Sequence, residues 1–150
     1  MYLKILYEGD DTMFERLDEF MEEESDEMLA TGGWGDDKIS ELEGELGNPF
    51  REELREFIRK YGLLMGYGVE IRACGRTGTS QMVEDTLRLR ECGLDDKYIV
   101  IMNNDEIIYC LDNETGEIVN WGLDNGEAYP EADDMESFIM TQLEEAREDW

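Results

Sequence analysis

The sequence predicts an α+β domain in which about four to five helices flank a mainly antiparallel, twisted sheet that ends in a meander of strands. Two observations support this prediction. Apolar residues recur at helical spacing in several capped segments, and residues 98–121 contain three short apolar runs separated by turn-forming clusters. A chain of 150 residues with 41% hydrophobic content has the length of one ordinary domain, so we predict a single domain over residues 1–150.

The N-terminal quarter is acidic and has a helical pattern. We expect a short strand at residues 3–7 and then an amphipathic helix over residues 13–28, capped by Asp11 or Thr12. The stretch TGGWGDD contains three glycines, which continue a helix only at a cost, and it therefore predicts a break around Trp34. We treat this part of the chain, up to residue 37, as an acidic extension or helix and the remainder as the core of the domain.

Two more helices follow the break. The first has Ile39, Leu42 and Leu46 at i, i+3 and i+7, with Asp36 or Asp37 as its cap and Gly47 as its stop. The second lies in NPFREELREFIRKYG, with Asn48 as cap, Pro49 in the first turn and Gly62 as stop.

A row of arginines lies along the second of these helices. Arg51, Arg55 and Arg59 are spaced i, i+4 and i+8 among three glutamates, which favours charge pairing within the helix. A phosphate site is the alternative interpretation of the same row.

Residues 69–73 alternate apolar and polar side chains, which predicts a strand with one buried face. A helix capped by Thr79 or Ser80 is expected to reach Cys92 and to end at Gly93.

The meander starts at residues 98–102, a continuous apolar run typical of a central strand buried on both faces. Residues 107–111 and 118–121 form the next two strands, joined by a loop in which Gly116 takes a positive φ. Residues 122–134 are interpreted as a loop, and a last helix begins under a cap at Asp133 or Asp134. The core positions expected in the meander are Ile99, Ile101, Ile108, Cys110, Ile118 and Trp121.

The net charge of −27, from forty acidic and thirteen basic residues, repels nucleic acid and attracts basic surfaces. Solubility alone is the simpler explanation for such a charge. The two ends contribute most of it: residues 1–47 have a net charge of −13 and residues 127–150 one of −8. If the ends fold beside each other they make one acidic surface, and otherwise the charge is diffuse.

Catalytic chemistry has little support in these residues. The chain has no histidine, which excludes Ser-His and Cys-His nucleophile pairs, and its carboxylate doublets arise readily by chance among forty acids. Neither the calcium-loop spacing nor a complete phosphate-binding glycine fingerprint is present. We therefore predict a protein that is not an enzyme and that uses no cofactor and no metal.

Three cysteines, Cys74, Cys92 and Cys110, lie far apart within apolar segments, which favours reduced, buried thiols and a reducing compartment. The opening residues are too short and too polar for a signal peptide, and no stretch approaches the roughly 18 apolar residues of a membrane span. We expect a cytoplasmic protein.

The order of the segments resembles the SUKH superfamily, whose founding members include yeast cell-wall-assembly regulators (the Smi/Knr type). The resemblance runs from about residue 39 to residue 150, through ISELEGELG, NPFREELREFIRKYG, GVEI and YIVIMNNDEIIYCLDNETGEIVNW. Its most specific part is EIIYCLDNETGEIVNW, followed by an acidic loop and the ESF that opens the last helix.

This resemblance implies a domain that binds proteins. Many bacterial members are immunity proteins that neutralise secreted polymorphic toxins inside the producing cell, often nucleases. We therefore expect a cognate toxin with a basic surface as the partner, with no direct contact to nucleic acid or membrane. A regulatory scaffold for intracellular partners and, from charge alone, a DNA mimic remain as alternatives.

The superfamily implies no fixed binding residues, so candidates come from segments where side chains can face outward. Aromatic anchors inside a polar rim are typical of tight interfaces. The candidate partner-binding residues are Trp34, Asp36, Asp37, Tyr67, Asp105, Glu106, Asp124, Glu127, Tyr129 and Asp133.

Overall fold

The computed structural model describes residues 13–74, 80–104 and 106–150. Within these ranges the helices are α1 (Glu15–Glu23), α2 (Asp36–Leu46), α3 (Glu52–Lys60), α4 (Gln81–Arg90) and α5 (Met135–Glu148). The strands are β1 (Leu29–Ala30), β2 (Leu63–Gly66), β3 (Val69–Arg72), β4 (Tyr98–Asn103), β5 (Ile108–Asp112), β6 (Ile118–Trp121) and β7 (Ala128–Ala132). The predicted strand at residues 3–7 and the candidates Asp11, Thr12, Thr79 and Asp105 lie outside the described residues.

The strands form two antiparallel sheets. The first has the order β1-β2-β3, and the second is the meander β4-β5-β6-β7. A two-residue turn joins β2 to β3, and both of its residues are left-handed, Tyr67 with φ 52° and Gly68 with φ 82°. Such turns match the twist of the strands that they connect. The α+β class and the C-terminal meander are thus confirmed.

Strands β4, β5 and β6 of the meander are buried on both faces. Ile99, Ile101, Leu111 and Ile118 belong to the main core, which also contains the buried side of α5. The alternate residues of the same strands pack with Leu89 of α4 in a second, smaller core. All six core positions predicted in the meander are buried.

Several local predictions are confirmed. The Ser80 hydroxyl caps α4 by accepting from the Val83 N–H, and the Asp134 carboxylate caps α5 by accepting from the Ser137 N–H. Gly47 and Gly116 take the left-handed conformation, with φ 78° and 87°.

Other local predictions are wrong, and the errors at the helix caps share a physical cause. The N-cap of α2 is Gly35, because Asp36 lies inside the first turn and pairs with arginines of α3. Helix α3 begins only at Glu52, and the Asn48 amide instead donates to the Asp96 carbonyl at 2.7 Å. In both cases, a side chain that the local pattern assigns to a cap bonds instead to a residue distant in sequence.

The second sheet departs from prediction at both edges. Residues 128–132, interpreted as loop, form β7, and β4 lies at an edge of the sheet instead of its centre. Helix α4 covers the open edge of β4, where the Thr86 hydroxyl accepts a hydrogen bond from the Val100 N–H at 2.9 Å. This cover buries β4, so its sequence has the apolar run of a central strand.

The cysteine prediction holds only in part. All three cysteines are free, and Cys74 and Cys110 are buried, but Cys92 is exposed because α4 ends at Arg90, before it. Burial raises the pKa of the Cys74 and Cys110 thiols to about 12.

Candidate functional site

The described candidate residues lie on separate elements, mainly at the start of α2, in the β2–β3 turn and around the β6–β7 hairpin. Glu106 lies apart from these, exposed in the β4–β5 connection, where its N–H donates to the Asn104 side-chain oxygen at 3.2 Å. The structure therefore does not assemble the candidates into one cluster, and each position has to be considered separately.

At the start of α2, two candidates are committed to contacts within the chain. Trp34 is half-buried against the main core, and its N–H donates to the Ile58 carbonyl at 3.3 Å. The Asp36 carboxylate lies 2.7 Å from Arg59, whose hydrogen bond and charge lower the pKa of Asp36. Asp37, in the same turn, is exposed. The Asp36 side chain is exposed as well, but its carboxylate pairs with Arg55 and Arg59 of α3.

The arginine row of α3 acts as a brace between helices. Arg59 contacts Glu52 and Glu56 within α3, as predicted, but it also contacts Asp36 of α2. Arg55 lies 2.6 Å from Glu43 of α2. These pairings oppose a phosphate site at this row, because the guanidinium groups already face carboxylates.

The β6–β7 hairpin presents a cluster of exposed candidates. Asp124, Glu127 and Asp133 are exposed, as is 48% of Tyr129. The Tyr129 hydroxyl donates to Glu127 Oε2 at 2.5 Å, and this bond is the main reason that the pKa of Tyr129 is raised. Leu123, 55% exposed, adds an apolar side chain that the sequence analysis did not select. The hairpin thus combines carboxylates with one aromatic and one aliphatic side chain.

Helices α1 and α5 lie side by side and run in the same direction. At their N-terminal ends Arg16 Nε donates to Glu136 Oε1 at 3.3 Å, and at their C-terminal ends Arg147 Nη1 donates to Glu24 Oε1 at 2.6 Å. Two contacts in this order require parallel helices. Helix α1, from the acid-rich N-terminal part of the chain, therefore lies beside α5, from the acid-rich C-terminal part.

We call the exposed carboxylates of these two helices and of the residue after α5 the acidic face. None of them was selected from the sequence, because glutamates on the outer side of a helix have the same pattern whether they bind a partner or water. The acidic face consists of Glu15, Glu19, Glu22, Glu23, Glu144, Glu145, Glu148 and Asp149.

The remaining candidate, Tyr67, lies at the C-terminal end of the acidic face. Its ring is half-buried, meets the Trp150 ring edge-on with centroids 5.5 Å apart, and its hydroxyl donates to Glu24 Oε2 at 2.9 Å. Trp150 is 71% exposed, more than any other large apolar side chain in the described part of the chain. Sequence reasoning missed it, since a tryptophan at the end of a helical apolar pattern is normally expected to pack inward.

A separate cleft of about 330 Å³ lies where β3, α4 and β4 meet. Its charged lining is balanced: Arg72 donates to Glu70 at 2.8 Å, and Arg88 donates to Asp85 at 3.2 Å. This cleft is therefore nearly neutral within a strongly acidic protein.

In the described ranges, no three or more Cys, Asp or Glu side chains are grouped so that they would hold a metal ion. The helices of the same ranges include none with the length and apolar character of a membrane span.

Comparison with known proteins decides the family. The family model SUKH_5, described as SMI1-KNR4 cell-wall, matches residues 13–144. The chain belongs to the SUKH superfamily. The match begins at Met13 and therefore includes α1, whereas the sequence resemblance was strongest from residue 39 onward. Both helices of the acidic face thus lie within or at the edge of the SUKH domain. This family is not a known enzyme family, and membership in it suggests that the chain binds a protein partner.

Proposed function

We propose that this SUKH protein is an immunity protein that binds a cognate toxin domain and neutralises it by stoichiometric occlusion through its acidic surface. The observation that carries the proposal is the parallel packing of α1 and α5, which brings together two acid-rich helices from opposite parts of the chain. Carboxylates spread evenly over the surface would explain solubility alone, whereas a dense patch of them also attracts a basic partner to one place.

The electrostatics of such a face suit a toxin that acts on nucleic acid. The active site of a nuclease is basic because it has to bind phosphates. A complementary acidic inhibitor is steered to it, with association rates enhanced by roughly ten- to a thousandfold at low salt. Occlusion then needs no catalytic group in the inhibitor.

The β6–β7 hairpin is a second part of the proposed contact surface, and its strand β7 leads into α5 through only Asp133 and Asp134. Within it, Asp124, Glu127, Tyr129 and Asp133 are the proposed contacts. Asp37 and Glu106 are exposed and belong to the proposed set at its periphery, whereas Trp34 and Asp36 have structural roles toward α3.

The proposal predicts that the adjacent reading frame encodes a secreted protein ending in a toxin domain, and the test is co-expression with that domain. We expect the wild-type protein to restore growth and to co-purify with the toxin in equal amounts. A face variant, E19Q/E22Q/E145Q/E148Q, should rescue less well. A control variant, E45Q/E84Q/E91Q/E114Q, removes the same number of exposed charges elsewhere and should rescue fully. If the wild-type protein neither restores growth nor co-purifies, the proposal is wrong.

The neutral cleft between β3, α4 and β4 favours a second candidate function, that of a regulatory scaffold for an intracellular peptide. Its paired arginines and carboxylates offer both donors and acceptors to a peptide backbone. In that case R72A/R88A would abolish partner capture while the face variant would bind normally. The co-expression experiment, repeated with these variants, separates the two functions.

A further inference from the structure

Three aromatic rings connect the main core to the surface at the C-terminal end of the acidic face. Phe20 is buried, Tyr67 is half-buried and Trp150 is exposed. The ring centroids lie 6.4 Å apart between Phe20 and Tyr67 and 5.5 Å apart between Tyr67 and Trp150, each pair meeting edge to face. The exposed indole is thus attached to the core by successive ring contacts.

The backbone and the side chains around Tyr67 hold this arrangement in place. Tyr67 has φ 52°, in the left-handed region that few residues other than glycine adopt, and the tight turn orients its ring toward Trp150. At Gly68 an added Cβ would lie 4.0 Å from Trp150 Cζ3, so the indole rests directly against the turn. These contacts reduce the side-chain freedom that the indole loses when a partner binds, which is a property of efficient interface anchors.

The surroundings of the two rings are charged. The pKa of Glu24 is lowered, mainly by the hydrogen bond from Arg147 and next by the one from Tyr67, and this keeps the carboxylate ionised. The pKa of Tyr67 is raised, mainly by burial, then by the hydrogen bond and charge of Glu24, and then by the charge of Glu27. Both carboxylates therefore contribute negative charge near the Tyr67 hydroxyl. Asp149 precedes Trp150 directly and is exposed. An exposed indole among carboxylates attracts a cation by its ring quadrupole and by the charges around it.

We infer that Trp150, supported by Tyr67, anchors the partner and receives a Lys or Arg side chain of a basic partner against its indole ring. This inference rests on the proposed function, because it names the chemistry by which the acidic face would hold its partner. An apolar partner side chain fits this corner less well, since its approach would remove water from nearby carboxylates without replacing their hydrogen bonds.

The test uses a defined probe, an acetylated and amidated glycine-serine peptide that carries four arginines, at physiological ionic strength. A second peptide replaces each arginine by citrulline, which keeps the shape but removes the charge. We compare wild type with Trp150→Leu, Trp150→Phe and Leu87→Ala; the last is a control at an exposed apolar residue of α4. Circular dichroism establishes that each variant is folded.

We expect Trp150→Leu to weaken binding of the arginine peptide by about two- to fivefold, the range of one cation–π contact at an exposed site. Trp150→Phe should fall between Trp150→Leu and wild type, and Leu87→Ala should bind like wild type. The citrulline peptide should not distinguish Trp150→Leu from wild type. Equal affinities of Trp150→Leu and wild type for the arginine peptide would overturn the inference.

The two proposals fail in distinguishable ways. If the wild-type protein does not neutralise the neighbouring toxin, the immunity function is wrong, whereas the peptide measurement still decides the role of Trp150. If Trp150→Leu binds the arginine peptide as well as wild type does, the anchor is wrong and the immunity function is unaffected.

Discussion

Arg147 Nη1 donates to Glu24 Oε1 at 2.6 Å across 123 positions of sequence. The same guanidinium lies 5.0 Å from the Phe20 ring centroid, so it contacts α1 through both a carboxylate and an aromatic face. With the Arg16–Glu136 contact at the opposite ends of the helices, it places α1 beside α5. Ion pairs therefore join the two helices of the acidic face near both of their ends and offset part of the repulsion between their carboxylates.

The first prediction concerns pH. Glu24 has a lowered pKa in the folded state, so its contribution to stability is present above the pKa of the unfolded chain and is lost as the pH falls through the folded value. Glu24→Gln should therefore be less stable than wild type at neutral pH, and the difference should disappear in acid. Urea unfolding across this pH range measures it. Glu23→Gln, which removes an adjacent exposed charge, is the control, and an equal loss in both variants would contradict the role of the hydrogen bonds.

The second prediction concerns the buried ion pair that joins α1 to α3. Lys60 Nζ contacts Asp18 Oδ2, and both side chains are almost entirely buried. Asp18 Oδ1 also accepts from the Tyr61 hydroxyl. Asp18→Leu leaves the lysine without this partner and should lower the free energy of unfolding by about 3–5 kcal/mol.

A double variant tests the reason for that loss. Asp18→Leu with Lys60→Met removes both charges, so most of the loss should be recovered. Chemical denaturation measures both variants. If Lys60→Met instead lowers the free energy of unfolding of the Asp18→Leu variant further, the unpaired buried charge is not the cause of the loss.

The third prediction compares two glycines at the start of α2. A Cβ added to Gly33 would lie 1.8 Å from the Ile58 carbonyl oxygen, so alanine there must push the chain away from α3. At Gly35 an added Cβ meets nothing within 4 Å. Gly33→Ala should lower the thermal midpoint clearly, and Gly35→Ala should change it little. Similar midpoints for the two variants would show that the chain before α2 does not pack against α3 in this way.

The fourth prediction concerns the edge strand β7. The Gly122 N–H donates to the Glu127 carbonyl, which fixes which residues of β7 bond to β6. In an antiparallel pair only every second residue directs its backbone groups toward the neighbouring strand. Ala128 and Pro130 are therefore the residues of β7 whose backbone groups point away from β6, toward the open edge. Pro130 has no N–H to offer another strand, which protects the edge.

Pro130→Thr restores an outward donor and should increase self-association at high salt, where the net negative charge is screened. Ala128→Thr adds the same side chain at a position that already has its N–H, so it is the control. Sedimentation velocity distinguishes them. Equal association states for Pro130→Thr, Ala128→Thr and wild type would contradict the protective role of the proline.

Periodic signals predicted the class and the meander because they depend on local residues and on burial. Ile99, Ile118 and the apolar residues near them follow alternating or continuous patterns because their side chains are buried by the sheet. Gly116 marks a turn whose backbone takes a positive φ. Strand β7 escaped prediction for the same reason. Most of its side chains are exposed, and it contains a proline, so it has neither apolar alternation nor typical strand composition.

The candidate site was less predictable, because it depends on which elements become neighbours. Asp36 is a residue type that often caps helices, yet its carboxylate pairs with two arginines of α3. Trp150 has the pattern of a core residue, yet it lies over the Tyr67–Gly68 turn with most of its ring exposed. No local pattern distinguishes these outcomes, since both depend on contacts between residues far apart in sequence.

The central claim, that the acidic face steers and holds a basic toxin, is tested most directly by the association rate with the toxin domain that the proposal expects in the adjacent reading frame. Stopped-flow mixing at low and at physiological ionic strength would compare wild type, the face variant and the control variant. We predict that the face variant associates several-fold more slowly at low salt, with a weaker salt dependence, while the control variant resembles wild type. Equal rates and equal salt dependence for the two variants would contradict the claim.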